Sequence, residues 1–250
     1  MSNAYDARFY DWVNMTARRS AGVVLPLARA ACAPQSVVDV GCGEGAWLAV
    51  WRELGVADVT GCDGAHVDRA RLAIPADRFV AADLSRPFTA DRRFDLAQSL
   101  EVAEHLPPAA SEDFVDSLCG LSDVVLFSAA QPGQGGELHV NERRPAWWAE
   151  RFAARGYACF DALRPALAGD ARVDPWYRFN ALLFANAAGE TRLSQSARAA
   201  RTAPAALDDG GDLAWRLRRA ALAPLPVGVV TGLSRLRYRL VTALGRGDAG

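Results

Sequence analysis

The chain has 250 residues, of which 51% are hydrophobic and 23% are charged, and its formal net charge is −1. This length and composition fit one globular domain with an appendage, and they exclude a disordered, fibrous or disulfide-rich protein. The five cysteines include no C-x-x-C pair, so we expect reduced thiols in a cytoplasmic protein. Residues 1–9 contain Asp6 and Arg8 and no apolar stretch, so we expect no signal peptide. No apolar run reaches about 18 residues, so we expect no membrane-spanning helix.

Hydrophobic periodicity predicts helices ahead of the first strand, with Ser20 as the cap of a helix over 21–31. We expect residues 1–35 to form an N-terminal helical lid. From residue 36 onward, apolar runs alternate with helical segments, which is typical of a parallel sheet covered by helices on both faces. The predicted strands are 37–40, 56–62, 79–82, 94–99, 124–128 and 179–185. The predicted helices between them are 46–54, 67–72, 111–118 and 145–155.

The C-terminal quarter of the chain differs in composition from the rest. After the α/β domain over 36–187, a polar linker is predicted over 188–212 and a basic amphipathic tail over 213–250. Residues 1–190 contain 18 basic and 25 acidic side chains, whereas residues 191–250 contain 10 and 4. A basic amphipathic helix can lie on an anionic membrane. Three roles therefore stay open for the tail: packing on its own acidic body, pairing in a homodimer, and peripheral contact with the inner membrane surface.

A glycine-rich turn follows the first predicted strand. The sequence D-x-G-x-G-x-G places Asp39 at the strand end and Gly41, Gly43 and Gly45 between the strand and the next helix. Glycine lets the backbone turn sharply and approach a ligand closely, and the helix N-terminus offers free N–H donors. Such a turn alone is a weak signal, because dinucleotide-binding proteins share it.

Two further acidic residues end predicted strands. Asp63 lies where a carboxylate can bind ribose hydroxyls, and Asp83 lies where one can accept from an adenine amino group. Three strand ends thus offer the groups that an adenosine-containing cofactor needs.

With these motifs, residues 35–186 resemble the class I S-adenosylmethionine-dependent methyltransferases. The resemblance implies a methyltransferase domain over 36–187 with a Rossmann-like, doubly wound and mostly parallel seven-stranded sheet. It implies S-adenosyl-L-methionine as the cofactor. The implied cofactor-binding residues are Asp39, Gly41, Cys42, Gly43, Gly45, Asp63, Gly64, Asp83, Leu84, Ser99 and Glu101.

The segment after the fourth strand carries two carboxylates and an imidazole. Glu101, Glu104 and His105 would share one face of a helical turn. The pattern resembles the E-x-x-E-H segment of quinone-ring O-methyltransferases and small-RNA 2′-O-methyltransferases, in which these residues hold a divalent ion. In the RNA enzymes the fourth ligand is a histidine after the next strand, where this chain has His139. The resemblance thus implies a Mg²⁺, Mn²⁺ or Zn²⁺ site made of Glu101, Glu104, His105 and His139.

Two alternatives to a metal site stay open for these residues. His105 or His139 can act as a metal-free general base, with Glu104 as the third predicted catalytic residue, or the group can be purely structural. A glycine-rich loop over 128–148 follows the fifth strand, at the edge of the sheet where ligands bind. Candidates for acceptor contacts or for the pocket wall are Gln131, His139, Asn141, Glu142, Trp147 and Trp148. By resemblance, the aromatic cluster over 9–12 is expected to cover the site.

The leading functional prediction is methyl transfer from S-adenosylmethionine to an oxygen of a small polar acceptor, such as a sugar, a phenol or a natural-product intermediate. An RNA-end 2′-O-methyltransferase is the alternative, but residues 1–190 are acidic and lack the basic face that nucleic-acid binding needs. A non-catalytic cofactor-binding protein is the third class.

Overall fold

A computed structural model describes residues 7–207, 209–225, 228–230 and 232–233. Its centre is one mixed β-sheet. The strands are β1 (Ser36–Val40), β2 (Asp58–Asp63), β3 (Phe79–Ala81), β4 (Leu96–Leu100), β5 (Val124–Ser128), β6 (Ala158–Phe160), β7 (Leu182–Ala185) and β8 (Arg201–Thr202). Their order across the sheet is β3-β2-β1-β4-β5-β7-β6-β8.

The first five strands run parallel, whereas β7 is antiparallel to β5 and β6, and β8 is antiparallel to β6. This confirms the predicted doubly wound, mostly parallel sheet, but the sheet has eight strands instead of seven. The two strands that are absent from the six predicted ranges, β6 and β8, are only three and two residues long, too short for a periodic pattern. Because the order reverses between β1 and β4, the loops after these strands border one crevice at the carboxyl edge of the sheet.

The described part of the chain contains nine α-helices. They are α1 (Ala7–Cys32), α2 (Ala46–Glu53), α3 (Ser111–Leu121), α4 (Pro145–Ala154), α5 (Arg164–Leu167), α6 (Pro175–Asn180), α7 (Ala187–Arg192), α8 (Gln195–Ala199) and α9 (Leu213–Leu222). The predicted helix over 67–72 is only a 3₁₀ turn, Arg69–Arg71. The predicted strand over 179–185 begins inside α6, so only its second half is β7.

Helices pack on both faces of the sheet, and each face has its own buried cluster. Val37 belongs to the cluster on the face of α1 and α2, while its neighbour Val38 belongs to the cluster on the face of α3 and α4. Leu96 and Ala97 divide in the same way. Successive strand residues point to opposite faces, so continuous apolar runs indicate a sheet covered on both sides.

The N-terminal segment is a single helix, and Ser20 lies in its interior rather than at a cap. Its hydroxyl donates to Asp174 Oδ2 over 3.3 Å and accepts from Asp174 N over 3.1 Å, which explains a buried serine inside a helix. Val24 and Leu25 pack fully buried against the body. The predicted lid over 1–35 depends largely on residues 1–6 and on the side chains of residues 7–13, which lie outside the described part, so it stays a prediction.

The segment over 188–212 is not the linker that its polar composition predicted. It contains most of α7, all of α8 and the edge strand β8, which pairs with β6. Local side chains make these elements, because Asn186 caps α7 and Ser194 caps α8.

The described part of the tail is helical, and α9 docks on the body through Trp215, which is buried. The predicted apolar stripe is only partly covered, because Leu217 and Leu233 are exposed; its members Leu236, Leu240 and Leu244 lie outside the described residues. None of the helices described here combines the length and the apolar character needed to cross a membrane.

Candidate active site

The turn between β1 and α2 has the backbone conformation that its glycines allow. Gly41, Gly43 and Gly45 have φ angles of +88°, +53° and +85°, a region that other residues rarely adopt. A Cβ on Gly41 would lie 2.3 Å from the side chain of Val102. The Gly41 amide also donates to Cys62 O over 2.7 Å, which ties the turn to β2. The turn is therefore held between β2 and the segment that follows β4.

Asp63, the last residue of β2, is placed against this turn. Its Oδ2 accepts from the Gly43 amide over 2.6 Å, and its Oδ1 accepts from the Gly64 amide over 2.6 Å. Each carboxylate oxygen has a second lone pair for a ligand. The predicted ribose-binding carboxylate and the glycine turn thus form one unit, and the buried thiol of Cys42 lies within it, in contact with Gly43 O.

Asp39 is buried beneath the turn. Desolvation raises the pKa of its carboxyl to about 7, with a hydrogen bond from Gln98 acting in the opposite direction and the charge of Asp63 raising the pKa further. Gln98 is itself held by Trp51, whose indole N–H donates to Gln98 Oε1 over 2.7 Å. A buried carboxyl at this position favours a ligand that carries positive charge.

The predicted cofactor-binding residues Asp83, Leu84 and Ser99 differ in their exposure to solvent. Asp83 is exposed and accepts from the amide and hydroxyl of Ser85 over 3.0 and 2.6 Å. The next residue, Leu84, is buried. Ser99 is fully buried, and its hydroxyl donates to Val40 O over 2.8 Å. Its side chain therefore joins β4 to β1 within the sheet.

Glu101 follows β4 in a left-handed backbone conformation, with φ +58°. Two buried amides hold its carboxylate: Gln134 Nε2 donates to Oε2 over 2.6 Å, and Asn180 Nδ2 donates to Oε1 over 3.1 Å. Asn180 also donates to Gln134 Oε1 and accepts from Gln131 Nε2. Burial raises the pKa of Glu101, and the hydrogen bonds from Asn180 and Gln134 oppose that rise.

Glu104, His105 and His139 form a compact group of donors. One ligand atom from each lies within 4.8 Å of the others. Glu104 is fully buried, and within the described part of the chain neither of its carboxylate oxygens has a hydrogen-bond partner. Burial, and next the charge of Glu101, hold the pKa of Glu104 well above its usual range. Glu101 is not part of this three-residue group, and each of its oxygens accepts from one amide, so its place in the predicted four-residue metal site stays a prediction.

The loop after β5 fixes His139. Its Nδ1 lies 2.9 Å from Glu142 Oε1, and a carboxylate can only accept, so Nδ1 carries the proton. Glu142 in turn accepts from the amides of Gly133 and Gly135 over 2.9 and 3.0 Å. His139 therefore keeps Nε2 as a lone-pair donor.

His105 reaches the surface, yet the protein atoms around its ring desolvate it. This desolvation, and next the charge of His139, lower the pKa of His105 to about 4. His105 is therefore neutral at physiological pH, as a metal ligand must be.

The remaining residues of the glycine-rich loop are mostly structural. The side chains of Gln131 and Asn141 are buried and hydrogen-bonded within the protein, so they are not free for an acceptor. Trp148 is buried in the core, and Trp147 stacks on the guanidinium of Arg151, 3.1 Å from the ring centroid. The two tryptophans pack instead of lining an open wall.

The amides that hold Glu101 were not predicted as site residues. Asn180 ends α6 and Gln134 lies in the glycine-rich loop, both far from Glu101 in sequence. No local spacing relates these three positions, so sequence reasoning had no pattern from which to find them.

Comparison with known proteins agrees with this geometry. A family model described as "Methyltransferase domain" matches residues 15–164. A malonyl-[acyl-carrier protein] O-methyltransferase of Pseudescherichia vulneris is 43% identical over 68 residues, which are 26% of this chain and 27% of that protein. The aligned part is thus about a quarter of that relative.

Two solved structures are similar in fold. An O-methyltransferase family protein from Burkholderia thailandensis has a TM-score of 0.52 and 17% identity over 73% of this chain and 61% of its own. The methyltransferase domain of bacterial CtHen1-C has a TM-score of 0.50 and 19% identity over 68% of this chain and 98% of its own. With the family match over more than half of its length, the chain belongs to the methyltransferase-domain family of S-adenosylmethionine-dependent enzymes and has their class I fold.

Proposed function

We propose that this protein transfers a methyl group from S-adenosylmethionine to an oxygen atom of a small acceptor. The observation that carries the proposal is the position of the Glu104–His105–His139 group after β4 and β5, at the same sheet edge as the glycine turn. A cofactor site and a nucleophile-activating group thus border one crevice, as an in-line transfer requires.

The residues present fit the cofactor. The turn at Gly43 has open space where a Cβ would stand, Asp63 keeps lone pairs for hydroxyl groups, and Asp39 lies buried below. When bound, S-adenosylmethionine supplies an electrophilic methyl group on a positively charged sulfur. The chain's own contribution is to bind and orient this group and to position the acceptor oxygen.

The donor group also fits a divalent cation. Two imidazoles and a carboxylate suit Zn²⁺ or Mn²⁺. A fully buried carboxylate such as Glu104 is costly without a counter-charge, and a ligating histidine commonly donates its other N–H to a carboxylate, as His139 does to Glu142. A cation held here by Glu104, His105 and His139 would lower the pKa of an acceptor hydroxyl. For His105 this supports metal binding over a role as a metal-free base, because a histidine of pKa about 4 is a weak base at neutral pH. For His139 both roles stay open.

Metal binding is tested directly. Protein treated with EDTA and dialysed is titrated with Zn²⁺ and Mn²⁺ in a calorimeter. We expect one site per chain that is lost in His139→Ala and kept in His66→Ala, the matched control at an exposed histidine. Methyl transfer to a panel of phenols and sugars is measured in parallel with and without metal. Equal titration curves for the wild type and His139→Ala would exclude metal binding by the Glu104–His105–His139 group. A histidine of this group would then be proposed as a metal-free general base.

A further inference from the structure

A pocket of about 240 Å³ lies between the glycine-rich loop and the C-terminal segment. Gly135, Gly136, His139 and Glu142 contribute one wall. The other wall comes from Leu222, Ala223, Leu225 and Val230 of the tail. The loop wall also includes Pro132 and Val140 and has its polar side chains at His139 and Glu142, whereas the tail wall is entirely hydrocarbon.

The tail is held against the loop by specific contacts. Arg218 donates to Gln134 O over 3.0 Å, and Arg219 donates to Pro132 O over 3.2 Å. At Gly133, a Cβ would lie 2.2 Å from Arg219 O, so the helix approaches the loop as closely as a glycine permits. These contacts hold α9, and with it Leu222 of the hydrocarbon wall, beside the loop.

His139 connects this pocket to the donor group. Its side chain lines the pocket, and the same ring contributes a donor atom to the group with Glu104 and His105. A molecule bound in the pocket therefore lies next to His139, one of the three side chains that we propose activate the acceptor. The hydrocarbon wall has no charged side chain among its lining residues, so it suits an apolar substituent.

We infer that the pocket binds the hydrocarbon arm of the methyl acceptor, which makes the acceptor an amphiphile with a hydroxyl at His139 and an alkyl or similar chain against Leu222 and Val230. The inference rests on the proposed function, because it takes the donor group as the place of the acceptor oxygen. It narrows the acceptor class from small polar molecules to hydroxyl compounds with an apolar arm.

The test uses a homologous series of probes, the methyl, butyl, hexyl and octyl esters of 4-hydroxybenzoate, titrated into the full-length protein loaded with S-adenosylhomocysteine. Burying a methylene contributes about 0.8 kcal/mol, so the affinity should rise about fourfold per added methylene until the pocket is full. In Leu222→Asp this rise should be largely lost. Leu217→Asp, at an exposed position of the same helix, should keep the wild-type rise.

A second variant separates pocket filling from disturbance of the tail. Ala223→Phe fills the space with an apolar ring and should weaken octyl ester binding much more than methyl ester binding. An affinity that is independent of chain length, or one that changes equally in Leu217→Asp and Leu222→Asp, overturns the inference. Binding of S-adenosylhomocysteine to the wild type and to each variant is measured separately. If the wild type does not bind it, the proposed function is contradicted, and that result does not bear on the pocket assignment.

Discussion

The ring of His139 meets the ring of His105 edge to face, with 4.9 Å between their centroids. One histidine follows β4 and the other lies in the loop after β5, and these parallel strands are direct neighbours. The amides of Val140 and Asn141 both donate to Glu104 O, over 2.8 and 3.0 Å, and hold the second loop on the first. The convergence of the two histidines, which the sequence pattern predicted, is thus a consequence of strand order and two backbone hydrogen bonds.

The support that Glu142 gives to His139 should be measurable in metal affinity. In Glu142→Gln, the partner of Nδ1 loses its charge, so His139 becomes less basic and less well oriented. We expect Zn²⁺ affinity, measured by calorimetry, to fall about 10- to 100-fold. Glu150→Gln, at an exposed site on α4, is the control and should bind as the wild type does. An unchanged affinity in Glu142→Gln would show that this carboxylate does not support a ligand.

The glycine turn should determine cofactor affinity. Gly43→Val places a branched side chain on a residue with φ +53°, and Asp63→Ala leaves two loop amides without their acceptor. Each change should weaken S-adenosylhomocysteine binding in calorimetry by at least about 1–3 kcal/mol. Gly22→Ala in α1, where a Cβ meets no atom within 4 Å, is the matched control. Wild-type affinity in both site variants contradicts the cofactor assignment.

The amides around Glu101 should stabilise the fold through that carboxylate. Gln134→Ala leaves Oε2 of a buried carboxylate without its donor, so the free energy of unfolding in urea should fall by about 1–3 kcal/mol. In a Glu101→Gln background the loss should be smaller, because an amide is cheaper to leave unpaired than a charge. A double-mutant cycle reports this difference as a coupling energy. Strictly additive losses would mean that Gln134 acts through packing alone.

The buried carboxyl of Asp39 should make stability depend on pH. Its pKa is about 7 in the folded chain against 3.8 ordinarily, so between these values the unfolded chain has lost a proton that the folded chain keeps. The free energy of unfolding contributed by Asp39 therefore falls as the pH rises from about 4 to 7 and stays low above that range.

Asp39→Asn lacks this dependence, so its melting temperature relative to the wild type should increase from pH 4 to pH 7 and then level off. Differential scanning calorimetry without ligand measures it. For Asp77→Asn, at an exposed position, the melting temperature relative to the wild type should not rise between pH 4 and pH 7. A constant difference for Asp39→Asn over the whole pH range would mean that the buried carboxyl stays ionised throughout.

The tail should stabilise the body whether or not it also binds lipid. Deleting the chain after Gly211 removes buried Trp215 and should lower the melting temperature. A contact with anionic membrane through the arginines, worth about 1 kcal/mol for each arginine near the surface, would add co-sedimentation with anionic liposomes that disappears at high salt. Apolar docking does not depend on salt in this way. If deletion leaves the melting temperature unchanged, the docking of α9 contributes nothing to stability.

The sequence was most informative where one residue type satisfies a local physical requirement. Glycines at three alternating positions after a buried strand are needed for positive φ angles, so the turn and the strand-end Asp63 could be predicted together. The sheet direction followed from apolar runs alternating with helical segments. The position of Glu101 could not be predicted, because its amide partners come from a loop and a helix that only the tertiary fold brings to it.

After Asn186, the polar composition of the segment predicts a linker, whereas its capping residues indicate helices. Asn186 accepts from the Gly189 amide and Ser194 accepts from the Ala197 amide, and both are sequence-local signals of a helix start. β8, at two residues, has no local signal and depends on pairing with β6. Composition therefore failed where short capped elements follow one another.

The close approach at Gly133 constrains how this protein can change. Since a side chain at Gly133 would meet the backbone of α9 at Arg219, the loop after β5 and the C-terminal helix cannot vary independently. A chimaera that takes the tail from a relative with a different loop would have to carry that loop as well. Acceptor preference in such chimaeras should therefore be inherited with the two segments as a pair, and directed evolution that randomises only one of them would sample mostly misassembled pockets.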